Sequence, residues 1–147
     1  MTVWDPNLIV VGVDGSEASQ HAASTAVEMA RRSGATLHLV TVVRPPEGWW
    51  GIVGSPPTPA ALTEALEDAQ KEILDRVVEH LDLDGVKHET VEDMGDPGRV
   101  LAAYCEEQDA DLLVVGRRGA GFIERLVIGS VANKVVNDAP CPVLVIP

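Results

Sequence analysis

Apolar positions along the chain come in two alternating styles: short unbroken runs, and longer stretches where they recur every three or four residues. Residues 8–13, Leu-Ile-Val-Val-Gly-Val, form an unbroken run of the kind found in a parallel strand covered on both faces. Ser16 then caps a helix with Ala18, Ala22, Ala23, Ala26, Val27 and Ala30 along one side, closed by Ser33-Gly34. That stripe is mostly alanine, so the helix can lie close to a sheet. Residues 37–43 are a second strand. Thr58-Pro59 reads as N-cap and first residue of a helix carrying Leu62, Leu66, Ala69, Ile73, Val77 and Leu81. Residues 86–91 alternate apolar and polar, which predicts a strand at a sheet edge. Asp96-Pro97 starts a helix through Gln108, and residues 111–116 are again an unbroken strand. Ser130 caps a last helix to about Asp138, and Pro140-Cys141-Pro142 precedes a final strand of Val143, Leu144, Val145 and Ile146.

The alternation of strand and helix predicts an α/β fold. It is a five-stranded parallel sheet with helices on both faces and right-handed crossovers, in a single domain over residues 1–147. In such sheets ligands lie beyond the carboxyl ends of the strands, where the winding direction reverses. The residues to inspect are Asp14, Val42-Val43, Gly95-Asp96 and those from Gly116 onward. The loop 45–59, with Trp49 and Trp50, reads either as a lid or interaction segment or as a disordered connection.

Composition narrows the function classes. With 46% hydrophobic and 23% charged residues, the chain of 147 can bury a core and does not read as disordered. The N-terminus lacks a signal-peptide pattern, and no apolar run reaches the roughly 20 residues of a membrane span. Two cysteines make no disulfide framework or metal pattern, so a cytoplasmic protein is expected. The four histidines are scattered, with His21 expected at the surface. The formal net charge of −12 repels nucleic acid and anionic lipid, and neither is expected as a partner. Residues 116–134 nevertheless carry Arg117, Arg118, Arg125 and Lys134 against Glu124 alone. This cationic island reads as an anion site or as a solvated helix face.

After the fourth strand come Gly116, Gly119, Gly121, Gly129 and Ser130. A phosphate needs converging N–H groups, close backbone approach and preferably a helix N-terminus. Gly116 and Gly119 offer one turn of such a cradle and Gly129-Ser130 a second, with Arg117, Arg118 or Arg125 adding charge. The segment is neither a Walker A motif nor G-x-G-x-x-G. The plainer reading is glycines that only make turns.

Gly116-x2-Gly119-x9-Gly129-Ser130 resembles the ATP-binding signature of the universal stress protein family. The resemblance extends to Val13-Asp14-Gly15-Ser16, Gly95-Asp96-Pro97, residues 111–116 and the ending 139–146. It implies a Rossmann-like sheet of the adenine nucleotide alpha hydrolase type, order 3-2-1-4-5, with ATP, ADP or AMP across strands 1 and 4. By position, Gly12, Val13 and Asp14 would border the adenosine, Val42 the base, and Val115 and Gly116 the ribose and phosphates. Gly119, Gly129, Ser130 and Val131 would hold the phosphate chain. A hydroxyl residue found in some members is replaced here by Ala132. The resemblance also implies a homodimer through Val143, Leu144, Val145 and Ile146, which suits an edge strand. Asp14 could reach a Mg or Mn ion carried by the phosphates, or could simply form a turn with Gly15-Ser16. No intrinsic metal site and no catalytic residue is identified. The leading reading is a nucleotide-dependent regulatory or sensor module in stress response. The competing readings are a slow ATPase or self-phosphorylating enzyme, and a nucleotide-free module that binds an unknown protein partner.

Overall fold

The computed structural model describes residues 4–44, 58–118 and 128–147. Five strands, β1 (Leu8–Gly12), β2 (Thr36–Val43), β3 (His88–Met94), β4 (Leu112–Gly116) and β5 (Val143–Ile146), alternate with helices. The helices among the described residues are α1 (Glu17–Ser33), α2 (Pro59–Glu79), α3 (Pro97–Gln108) and α4 (Ser130–Asp138). Every strand pair is parallel and the order is β3-β2-β1-β4-β5, as the resemblance implies.

The unbroken apolar runs reflect burial on both sides of the sheet. Ile9 and Val11 of β1, with Leu112 and Val114 of β4, pack against Ala22, Ala23 and Ala26 of α1 and Leu74 and Val77 of α2. Val10, Leu113 and Val115 point the other way, onto Leu101 and Cys105 of α3 and Ala132 and Val135 of α4. Ser16 caps α1 by accepting the Ser19 N–H, and Gly34 ends it in the left-handed region at φ 76°. Thr58 and Asp96 cap α2 and α3 in the same way, each followed by proline.

Two expectations shift. The buried face of α2 is Gln70, Leu74 and Val77, whereas Ala69 is exposed. Gln70 is drawn inward because its amide donates to the Thr41 carbonyl at 3.3 Å and to the Asp93 carbonyl, in β2 and β3. Polar satisfaction outweighs periodicity there. The third strand spans His88–Met94 rather than 86–91. Its ladder with β2 continues through Val43↔Met94 although its side chains are mostly exposed, because backbone pairing at an edge needs no apolar face.

Candidate functional site

With β2 and β3 lying to one side of β1, and β5 beyond β4, the winding reverses between β1 and β4. Crossovers leave that point toward opposite faces and open a crevice at the carboxyl ends of the strands. A cavity of about 360 Å³ occupies it. Its apolar end is made by Val40 and Val42 of β2, Leu101 of α3 and Val115 of β4, beside Gly12 and Val13. Its other end carries Gly116, Arg117 and Arg118 together with Gly129, Ser130 and Val131. An apolar slot running into a polar, cationic end suits a flat ring joined to an anionic tail.

The sequence explains this shape locally. Gly116 ends β4 where α1 passes overhead: a Cβ there would stand 2.8 Å from the Ala18 carbonyl carbon and 3.0 Å from the Ser19 nitrogen. Glycine is needed for that close approach, a reason separate from any ligand. Beyond it, the Arg117 N–H donates to the Ile146 carbonyl at 2.6 Å, and the Gly129 N–H donates to the Arg117 carbonyl at 2.7 Å. These bonds pin the start of α4 beside the end of β4, bringing residues far apart in sequence to one rim.

Ser130 does not cap α4; it is the first helical residue, and Gly129 is the N-cap with no side-chain hydrogen bond. The Gly129 carbonyl accepts the Asn133 N–H, the first bond of the helix, while its own N–H is bonded to Arg117. The first-turn N–H groups of Ser130, Val131 and Ala132 have no acceptor within the helix and, with the helix dipole, favour an anion. Gly129 therefore positions this terminus, with its own N–H bonded to the Arg117 carbonyl. The Arg117 Nε is buried without a hydrogen-bond partner among the described residues. An unmade bond on a buried donor is expensive, and an anion at the rim would satisfy it.

Asp14 borders the same cavity, exposed, with Oδ1 accepting the Ser16 N–H at 2.9 Å. Its N–H donates to Ser19 Oγ at 3.2 Å. The turn reading of Asp14 is thus present in the geometry, alongside its place at the cavity edge. Gly119, Gly121 and Arg125 lie outside the described residues, as does most of the 45–59 loop. Ser19, Arg44 and Pro97 line the cavity without having been singled out. Arg44 follows a strand and Pro97 adjoins the inspected Asp96, so position after a strand was the usable signal for both.

Two titratable groups away from the crevice, His38 and Cys105, have structural partners. His38 is buried, with Nδ1 2.7 Å from the Tyr104 hydroxyl and Nε2 3.4 Å from Glu89. Burial, and then the neighbouring Cys141, push the Cys105 thiol up to about 12. Among the described residues no cluster of three or more His, Cys, Asp or Glu side chains could hold a metal. Nor is any of their helices long and apolar enough to cross a membrane.

Fold and crevice define a doubly wound α/β protein with an anion-receptive rim at its switch point. Residues 7–147 match the model of the universal stress protein family. Universal stress protein MJ0531 of Methanocaldococcus jannaschii is 33% identical over 145 residues, covering 94% of this chain and 80% of that protein. The structure of universal stress protein UspA from Lactobacillus plantarum superposes with a TM-score of 0.72 at 30% identity, covering 96% of this chain and 97% of that one. A universal stress protein in complex with cAMP gives 0.65 at 27% identity, covering 97% and 98%. The chain belongs to the universal stress protein family.

Proposed function

We propose that the protein binds ATP or another adenine nucleotide in the switch-point crevice and works as a nucleotide-dependent regulatory or sensor module in stress response. One observation carries this reading. An apolar slot at Val40, Val42 and Val115 leads directly to the first turn of α4, whose N–H groups have no acceptor within the helix, and to the Arg117 Nε, which has no hydrogen-bond partner among the described residues. The cAMP complex of a 27% identical relative supports the adenine assignment. Base and ribose would lie against Gly12, Val13, Asp14 and Val42. The phosphates would meet Gly116, Arg117, Arg118 and the N–H groups of Ser130 and Val131, with Gly119, Gly121 and Arg125 on the intervening segment. A bound triphosphate would supply a charged, hydrolysable tail, and a Mg or Mn ion would enter with it near Asp14. Asp14 is the single carboxylate among the described residues lining the crevice, which supports binding ahead of rapid turnover.

A second copy of the chain would pair along β5, the open edge made by Val143, Leu144, Val145 and Ile146. Native mass spectrometry of the purified protein tests the nucleotide reading. The expected result is an added mass of AMP, ADP or ATP, or its appearance when the nucleotide is supplied. A spectrum that stays free of nucleotide at millimolar supply would instead favour an interaction module.

A further inference from the structure

A second cavity of about 320 Å³ adjoins the first and shares Arg44, Ser130 and Val131 with it. Its remaining wall is Asp96, Gly98 and Arg99 at the start of α3, and Lys134 one turn into α4. Three cations and one carboxylate therefore face a single hollow in a chain whose formal net charge is −12. The packing that makes it is specific. A Cβ on Gly98 would stand 2.6 Å from both Cβ and Cγ of Lys134, so only glycine lets the first turns of α3 and α4 meet there. Asp96 caps α3 by accepting the Arg99 N–H at 3.2 Å and pairs with Arg44, while Lys134 Nζ lies 2.7 Å from Asp138. The Arg99 guanidinium has no ion pair among the described residues.

We propose that this hollow is an oligophosphate subsite, in which Arg44, Arg99 and Lys134 hold phosphoryl groups beyond the one at the first turn of α4. When the oligophosphate belongs to an adenine nucleotide, the proposal rests on the function proposed above. The two cavities share Ser130 and Val131, so a chain of phosphates leaving the α4 terminus runs straight into the second. Cations on a strand end and two helices suit several linked phosphoryl groups better than one small anion. The surrounding negative charge disfavours a long polyanion such as nucleic acid. The site thereby selects nucleotides by the number of their phosphates.

The double variant Arg99→Gln/Lys134→Gln tests this, since both residues border only the second cavity. Calorimetric titrations of wild type and variant would use AMP, ATP and inorganic tripolyphosphate at fixed ionic strength, with thermal melts confirming the fold. ATP is expected to bind wild type about tenfold or more tighter than AMP. In the variant that ratio should collapse toward one, AMP affinity should hold, and tripolyphosphate binding should weaken about tenfold. If AMP fails to bind while tripolyphosphate binds wild type and not the variant, the adenine reading fails and the subsite stands. Tripolyphosphate binding that is absent, or equal in both proteins, overturns the subsite. The single variant Arg99→Glu should lose tripolyphosphate more completely, and retention there overturns it equally.

Discussion

Gly116 shows how one residue can look functional for two reasons. As the first glycine of the signature it reads as a phosphate contact, yet in the fold its missing Cβ is the space occupied by Ala18 and Ser19. Gly116→Ala should therefore destabilise the protein by about 1–3 kcal/mol, read as a lower melting temperature without any nucleotide present. An unchanged melt would refute the packing role. The cysteines give a second test at this scale. Cys105 keeps its proton to about 12, chiefly through burial, against an ordinary 9.0. Its alkylation by iodoacetamide at pH 8 should be far slower in the native protein than in denaturant. Since the unfolded thiol ionises first, this contribution to stability is intact below pH 9.0 and declines as pH rises toward about 12. Positions at or near strand ends were legible, since Asp14, Val42 and Gly116 all border the crevice. They were hidden where a partner is distant in sequence. Gln70 turns inward for carbonyls in β2 and β3, and Gly98 is glycine because of Lys134.

At the level of elements, hydrophobic pattern announced β1, β2 and β4 because both their faces are buried. Strand β3 was less well bounded because its pairing with β2 is a backbone matter. The last helix begins one residue earlier than a Ser130 cap implies, because Gly129 is extended and its carbonyl accepts the Asn133 N–H. Edge strand β5 permits a sharp test of the proposed dimer. The carbonyls of Pro142 and Ile146 accept N–H groups of Leu113 and Arg117, so the backbone of Val143 and Val145 faces the open edge. Val145→Pro removes an outward N–H while sparing the ladder to β4. Light scattering coupled to size exclusion should then show a monomer where wild type is a dimer. A Val145→Pro protein that remains dimeric would exclude pairing along β5.

Across the whole molecule, the sheet gathers what the chain disperses. Three helical crossovers separate β1 from β4 in sequence, yet the two are neighbours, and every described residue expected to touch the nucleotide borders one cavity. The sequence could not show that Arg44 and Arg99, far from the glycine segment, extend its positive charge into a second hollow. It showed instead that the positive charge around residues 116–134 stands out against a strongly acidic chain. The most direct test of the central claim is an amide-resolved NMR titration of the protein with AMP. Shifts should concentrate at Gly12, Val13, Val42, Val115, Gly116, Ser130 and Val131, leaving α2 and the outer edge of β3 unmoved. A spectrum unchanged at millimolar AMP, or shifts clustered away from the β1–β4 crevice, would contradict it.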